Sequence, residues 1–161
     1  MPREEFEFMS RADGIRLRGY RFLCTSEERG AVVIAHGVAE HALRYARFAE
    51  ALAVAGFSAY IYDHRGHGRT GESAGGLGSF GDAGWGGLVE DLVQAVDVVA
   101  EGQVDRPVFL FGHSMGSFAA QAAAPRVSRD IAGLILSGTA DFCALAQFAA
   151  EAPDAVSLAA L

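Results

Sequence analysis

Hydrophobic positions along the chain fall into short apolar runs separated by stretches of helical periodicity. The apolar runs cover residues 31–35, 57–62, 107–111 and 131–137. Continuous apolar runs of this length are typical of strands that are buried on both faces of a parallel sheet. Between the runs, apolar residues recur every three or four positions and predict helices that end near Gly56, Gly102 and Pro125. The alternation predicts an α/β fold, a mostly parallel sheet with helices on both faces.

The first part of the chain has a different pattern. Residues 6–24 alternate weakly between apolar and polar, and Asp13-Gly14 interrupts the alternation, which predicts a β-hairpin. The stretch 63–71 is predicted to be a loop, and the many glycines of 71–87 disfavour long regular structure there. No linker or internal repeat divides the sequence. We therefore predict one domain over 1–161 with a sheet of about six strands.

Composition and charge narrow the possible functions. The chain has 161 residues, of which 51% are hydrophobic, and a formal net charge of −7 from 13 basic and 20 acidic residues. Basic residues form no cluster, which argues against a nucleic-acid partner. The start MPREEFEF is acidic where a secretory leader would be basic and then apolar, and no stretch is long enough to span a membrane. These features predict a soluble, cytoplasmic protein.

Ser114 stands at the junction of a predicted strand and a predicted helix. It lies between Gly112 and Gly116 in the pattern G-x-S-x-G, after the run 107–111 and before an alanine-rich segment. A strained strand-to-helix turn of this kind presents a serine hydroxyl to a ligand, with glycines where a Cβ would meet neighbouring backbone. A second match, 71–75, follows no apolar run and precedes more glycines. Context therefore favours Ser114 as a nucleophile and Ser73 as a chance match.

A serine nucleophile that attacks an acyl carbon creates an oxyanion, which needs backbone N–H donors. The amide of Met115 follows the nucleophile at a helix N-terminus, where the helix dipole favours negative charge. Gly37 allows the loop after the run 31–35 to approach closely, and the Val38 amide is our candidate for the second donor. An ordinary strand-to-helix turn is the alternative interpretation of this loop.

Three motifs together resemble a known family. The segments HGVAEH (36–41), DHRGHGRT (63–70) and GHSMG (112–116) are similar, in order and spacing, to the α/β-hydrolase superfamily. Within it they resemble the monoacylglycerol lipase and lysophospholipase group, also classed with serine aminopeptidase-like (S33) domains. The resemblance implies a serine hydrolase of carboxylic esters such as monoacylglycerols, with no cofactor and no metal. It also implies that Ser114 is the nucleophile, with Val38 and Met115 as oxyanion donors.

The resemblance also shows what this sequence lacks. In the family the triad histidine lies beyond the last strand, whereas all five histidines here precede Ser114. His36 and His113 lie within the backbone motifs and are interpreted as supporting loops. Asp141 follows the predicted strand 131–137, where some relatives have the triad acid, but a loop or capping role is the favoured interpretation of this aspartate. We interpret the chain as the N-terminal part of a hydrolase, with 142–161 as the start of a cap region.

Other features of the sequence suggest other functions. His64 and His67 could suggest a metal pair, but no third ligand accompanies them. The segment 66–71 matches G-x-G-x-x-G, but it is not predicted to open a helix, so a nicotinamide cofactor is disfavoured. The chain could instead be a non-catalytic remnant that acts as an interaction module. Peptidase or thioesterase activity would use the same serine. The expected partners are a small acyl ester, transiently a lipid surface, and a second copy bound at the apolar edge 131–137.

Overall fold

The computed structural model of the chain describes residues 3–73, 75–103 and 105–141. Its six strands are β1 (Arg3–Met9), β2 (Arg16–Phe22), β3 (Gly30–Ala35), β4 (Phe57–Tyr62), β5 (Val108–His113) and β6 (Gly133–Ser137). They form one sheet in the order β1-β2-β4-β3-β5-β6. The four strands from β4 to β6 are mutually parallel, whereas β2 runs antiparallel to both β1 and β4. The predicted mostly parallel sheet of six strands is therefore confirmed.

The predicted hairpin joins β1 and β2 with Met9 opposite Arg16. Gly14 has a φ of 75° in its turn, a conformation that glycine adopts without steric cost. The Ser10 carbonyl accepts a hydrogen bond from the Gly14 amide at 2.9 Å, which closes the turn. The Asp13-Gly14 pair therefore marks the turn that the sequence predicted.

Helices cover both faces of the sheet. They are a short 3₁₀ helix (Ala42–Tyr45), α1 (Ala46–Val54), α2 (Gly68–Ser73), α3 (Gly84–Gly102) and α4 (Met115–Val127). Alternate residues of β3 point to opposite sides: Val33 packs in the core under α3 and α4, and Ile34 packs in the core under α1. Both side chains are at most 1% exposed. Because β3 is buried on both faces, its sequence is a continuous run of apolar residues.

The helix α2 occupies part of the stretch 63–71 that was predicted to be a loop. The carboxylate of Asp63 accepts a hydrogen bond from the Arg69 amide at 2.9 Å and from the Ala42 amide at 2.6 Å. Asp63 thus satisfies an amide in the first turn of α2 from a position five residues before the helix begins. The capping residue is not adjacent to α2 in the sequence, so no local pattern indicated the start of a helix. The predictions that 63–71 is a loop and that 66–71 opens no helix were therefore wrong.

The helix α4 continues past Pro125, where it was predicted to end. Pro125 lies in the last turn and removes one helical hydrogen bond. Val127, two residues further on, is fully buried in the core under α3 and α4. Burial of this side chain offsets the lost hydrogen bond and extends the helix by one half-turn.

A buried ionic network joins the hairpin turn, the loop after β4 and the middle of α3. The Arg65 guanidinium binds the Asp91 and Asp13 carboxylates, each at 2.8 Å. It also donates to the Ser10 hydroxyl at 3.1 Å, and Ser10 in turn donates to Asp91 at 2.5 Å. The side chains of Arg65 and Asp91 are at most 1% exposed. Neither residue was singled out from the sequence.

Among the described residues, no helix is both long and apolar enough to cross a membrane. The segment 142–161, predicted to begin a cap region, lies outside the described residues.

Candidate active site

Ser114 occupies a strained turn between β5 and α4. Its backbone has φ 50° and ψ −121°, in a region that residues other than glycine rarely adopt. A conformation of this kind costs about 1–3 kcal/mol and persists only where the surrounding structure enforces it. The Ser114 amide donates to the Ser137 carbonyl at 3.0 Å, and the Ser114 carbonyl accepts the Ser117 hydroxyl at 2.6 Å. The side chain is partly exposed at the carboxyl end of the sheet.

The glycines on either side of Ser114 are required by close backbone packing. A Cβ at Gly116 would overlap the carbonyl oxygens of Ala35 and His36. A Cβ at Gly112 would overlap the carbonyl of Gly116 and lie 2.7 Å from the Ser117 Cα. The turn is therefore pressed against the end of β3 on one side and against its own helix on the other.

The loop after β3 lies directly beside Ser114. A Cβ at Gly37 would lie 3.3 Å from the Ser114 Cβ. Within the part of the chain that the structure describes, no protein group accepts a hydrogen bond from the amide of Val38 or of Met115. Met115 is the first residue of α4, where the helix leaves an amide without an internal partner. Neither amide thus has an acceptor among the described residues, and their role as oxyanion donors stays a prediction.

Glu40 holds this loop in place, a role that the sequence did not indicate. Its carboxylate accepts hydrogen bonds from the Gly37 amide at 2.9 Å and from the Tyr45 hydroxyl at 2.6 Å, and Arg44 pairs with it at 2.9 Å. Burial raises the pKa of Glu40, but these hydrogen bonds and neighbouring charges outweigh it and hold the pKa below the ordinary value. An anionic Glu40 fixes the tight turn through Ala39, whose φ is 57°.

His36 joins the loops that follow β3 and β4. Its Nε2 accepts a hydrogen bond from the His64 amide at 3.0 Å, so Nδ1 carries the proton and donates to the Gly37 carbonyl at 2.7 Å. The side chain is fully buried. Burial lowers its pKa from 6.5 to about 4. His36 is therefore neutral near pH 7, and both of its nitrogens bond backbone groups.

The rings of His64 and His67 lie against His36, with centroids at 4.2 and 5.2 Å. His64 is fully buried, neither of its ring nitrogens has a hydrogen-bond partner among the described residues, and burial holds its pKa well below the ordinary value. Over residues 3–73, 75–103 and 105–141, no group of three or more histidine, cysteine, aspartate or glutamate side chains is arranged to hold a metal ion. The three histidines form a packed cluster, in which burial lowers the pKa of His36 and of His64.

The histidine cluster predicts a loss of stability in acid. Because the pKa of His36 is about 4 when folded and 6.5 unfolded, its contribution is complete above pH 6.5 and is lost as the pH falls to 4. We expect His36 alone to account for about 3 kcal/mol of that loss. Urea unfolding at pH 7 and pH 4 measures it. His36→Gln should reduce the difference between the two pH values, and His41→Gln, at an exposed site, should not. An unchanged difference in His36→Gln would contradict the prediction.

His113 and Asp141 lie on the β6 side of Ser114. The Nδ1 of His113 lies 3.2 Å from the Ser137 hydroxyl, and its ring lies 6.4 Å from that of Tyr45. His113 thus links the end of β5 to the end of β6. Asp141 is exposed, four residues beyond the end of β6.

Two cavities adjoin the loop that follows β3. One, of about 340 Å³, is lined by aromatic side chains as well as polar ones: Glu40, Arg44, Tyr45, Phe48, Phe111, His113 and Ser137. The other, of about 490 Å³, lies between residues 38–40 and the segments 66–68 and 77–80. Ligands of open α/β sheets bind at this carboxyl end of the strands.

The sheet order, the strained serine turn and the adjoining β3 loop define the α/β-hydrolase class. Residues 26–159 match the family model described as serine aminopeptidase, S33, and the chain belongs to this family.

The relatives agree with this assignment. The chain is 37% identical over 115 residues to a monoacylglycerol lipase of Mycolicibacterium smegmatis, an alignment that covers 71% of this chain and 39% of the relative. It is 29% identical to the human monoglyceride lipase over 84% of this chain and 43% of that one. A thermostable carboxyl esterase from Bacillus coagulans, solved in complex with glycerol, superimposes with a TM-score of 0.82 and 32% identity, covering 96% of this chain and 50% of the esterase. The chain thus spans about half or less of these relatives.

Proposed function

We propose that this chain carries the nucleophile half of a serine hydrolase of carboxylic esters, and that Ser114 is the nucleophile. The observation that carries the proposal is the strained turn at Ser114. The Ser114 Cβ lies beside Gly37, and Ser114 directly precedes the N-terminus of α4. Strain of this kind at a strand-to-helix turn is a feature of nucleophile elbows.

In the proposed reaction the Ser114 hydroxyl attacks the acyl carbon and forms a tetrahedral adduct. Its oxyanion accepts hydrogen bonds from the Val38 and Met115 amides, which have no other described acceptor. His36 and Glu40 hold the Val38 loop and take no proton, since the nitrogens of His36 bond backbone groups. The general base of the triad takes the Ser114 proton during the attack and gives it to the departing oxygen, so the adduct expels a neutral alcohol and leaves Ser114 acylated, and water then hydrolyses the acyl-serine by the same route.

The base and acid of the triad are proposed to come from sequence that follows Ser114 in longer relatives. No histidine of this sequence follows Ser114, and Asp141 is the candidate acid in the described part. A triad that lacks a member retains only about 10³–10⁴-fold rate enhancement over water. We therefore propose that the 161-residue chain turns over esters slowly or not at all.

The proposed substrates are monoacylglycerols or lysophospholipids. Monoglyceride lipases are among the relatives, and the esterase that superimposes on the chain holds glycerol. Such substrates imply transient contact with a lipid surface, no cofactor and no nucleic-acid partner. We also propose that the protein is located in the cytoplasm.

Covalent labelling tests the nucleophile. We expect a fluorophosphonate probe to form an adduct at Ser114 during long incubation, detected by mass spectrometry of proteolytic fragments, and to be lost in Ser114→Ala. Ser73→Ala removes the serine of the other G-x-S-x-G match, at an exposed position, and should label like the unaltered chain. Equal labelling of Ser114→Ala would refute the assignment.

A non-catalytic role is the second candidate, and the edge strand β6 favours it. Leu134 and Ile135 are 37% and 46% exposed on a strand that pairs only with β5 in the described part of the chain. Apolar edges of this kind associate with other strands, including those of a second copy. Turnover of a p-nitrophenyl acyl ester by the 161-residue chain, abolished by Ser114→Ala, would rule this candidate out.

A further inference from the structure

The smaller of the two cavities has aromatic walls and no role in the reaction proposed above. Its volume is about 340 Å³, and four rings line it, those of Tyr45, Phe48, Phe111 and His113. The Tyr45 ring centroid lies 6.5 Å from that of Phe111 and 6.4 Å from that of His113, and the Phe48 and Phe111 centroids are 5.1 Å apart. The planes of these pairs are inclined by 51–66°, so none of the three pairs is stacked in parallel. Inclined rings around a shared space are the arrangement by which aromatic cages bind methylated ammonium groups.

One carboxylate lies at this cavity, and its oxygens are already hydrogen-bonded. Glu40 accepts from the Gly37 amide at 2.9 Å and from the Tyr45 hydroxyl at 2.6 Å, and it pairs with Arg44 at 2.9 Å. Burial raises the pKa of Glu40, but these hydrogen bonds and charges outweigh it, so the carboxylate is charged near pH 7. A primary ammonium would need acceptors that these oxygens no longer offer. A quaternary ammonium has no N–H and needs only ring faces and a nearby negative charge.

Arg44 adds a positive charge at the outer part of the cavity. Its side chain is 67% exposed, whereas that of Glu40 is 18% exposed. The Arg44 Nε pairs with Glu40, and its terminal nitrogens have no acceptor among the described residues. Guanidinium nitrogens of this kind bind phosphate and carboxylate oxygens. The cavity thus has a negative charge inside, among aromatic rings, and a positive charge at its rim.

We propose that this cavity binds a zwitterion in which a quaternary ammonium is joined to an anionic group, as in phosphocholine. The trimethylammonium group lies among the rings of Tyr45, Phe48 and Phe111, near the Glu40 carboxylate. The anionic group stays at the rim, on the Arg44 guanidinium. An aliphatic ligand would gain nothing from either charge, and a simple anion would be repelled by Glu40. This binding site goes beyond the proposed ester hydrolysis.

Calorimetry of the 161-residue chain with phosphocholine and with 3,3-dimethylbutyl phosphate tests the proposal. The two ligands have the same shape, because a carbon atom replaces the quaternary nitrogen, and they differ in the positive charge. We expect phosphocholine to bind at least about fivefold more tightly. Its amide chemical-shift changes should centre on residues 44–48 and 111–113. Equal affinity of the two ligands would overturn the proposal, as would shift changes centred on residues 77–80.

A variant of Phe48 tests the aromatic wall. Phe48→Leu removes a ring and keeps an apolar side chain, so it should weaken phosphocholine binding about threefold or more and leave binding of the uncharged isostere nearly unchanged. Trp85→Leu is the matched control, because Trp85 is 38% exposed and Phe48 39%, and Trp85 does not line this cavity. If both variants bound phosphocholine equally well, the aromatic cage would be refuted.

A variant of Arg44 separates the two ends of the ligand. Arg44→Gln should weaken phosphocholine binding about threefold, because the phosphate loses its guanidinium. It should tighten binding of choline, which has no anionic group, because a repelling positive charge is removed. Arg47→Gln, at an exposed position of α1 that does not line the cavity, should change neither affinity. Parallel losses of phosphocholine and choline binding in Arg44→Gln would contradict the placement of the anionic group.

The Ser114→Ala variant separates this proposal from the proposed function. It should bind phosphocholine as tightly as the unaltered chain, whether or not the fluorophosphonate labels Ser114. Phosphocholine binding that depends on the Ser114 hydroxyl would overturn the proposed site and leave the nucleophile assignment intact.

Co-sedimentation with phosphatidylcholine vesicles identifies the source of the ligand. If the chain sediments with the vesicles and free phosphocholine releases it, the cavity takes the head group of a lipid at a membrane surface. If phosphocholine binds in solution and the chain does not sediment, the cavity takes the free zwitterion.

Discussion

Replacing Asp91 by alanine is expected to lower the free energy of unfolding by about 3–5 kcal/mol. The substitution removes the partner that binds the Arg65 guanidinium at 2.8 Å and the Ser10 hydroxyl at 2.5 Å. Arg65 is buried and would keep only Asp13, which is itself partly exposed, as its ionic partner among the described residues. A buried charge that has lost its main partner retains its desolvation cost. Unfolding in guanidinium chloride, followed by circular dichroism, measures the change.

The pair Arg11–Asp97 provides the matched control, since it joins the same hairpin to the same helix at the surface. Its side chains are 50% and 27% exposed. Asp97→Ala should therefore change the free energy of unfolding by no more than about 1 kcal/mol. A loss at Asp91 as small as the loss at Asp97 would show that the buried network does not hold the hairpin turn to α3.

The second large effect is expected at Gly116. In Gly116→Ala the new methyl group would overlap the carbonyl oxygens of Ala35 and His36, which are backbone atoms and cannot rotate away. Overpacking of this kind costs about 1–3 kcal/mol or more. The end of β3 must also move, so we expect labelling of Ser114 by the fluorophosphonate to be lost together with stability. Thermal unfolding and mass spectrometry measure the two effects.

Gly86, a glycine within α3, provides the control for Gly116, because a side chain added there would not contact another part of the described protein. Apart from its chain neighbours and the nearby backbone of α3 itself, no heavy atom of the described residues lies within 4 Å of the position that its Cβ would take. Gly86→Ala should stabilise α3 by up to about 1 kcal/mol, because alanine has the higher helix propensity. If Gly116→Ala were as well tolerated as Gly86→Ala, the close packing of the serine turn against β3 would be refuted.

Much of the fold could be predicted from the sequence because its strands are buried on both faces. The run 57–62 coincides with β4, and the run 31–35 lies within β3, since full burial leaves an uninterrupted apolar signature. The serine turn could be located by its context as well, a strand before Ser114 and a helix after it.

The features that were missed depend on contacts between residues distant in sequence. Asp63 caps α2 from five positions away, and Arg65 meets Asp91 across 26 residues. One signal for the network was present: Asp91 is an acidic residue on the apolar face of α3, next to Leu92. A charge at a helix position that periodicity assigns to the core predicts a buried partner, and such positions are worth testing in other sequences.

The two edges of the sheet differ in how readily they can pair with a further strand. The strand β1 carries Arg3, Glu4, Glu5 and Glu7 as exposed charges, which discourage the docking of another strand. The strand β6 exposes leucine and isoleucine instead. We therefore expect a strand that enlarges this sheet, whether it comes from further sequence or from another molecule, to add beyond β6, on the side of the sheet that carries Ser114, and not at the hairpin.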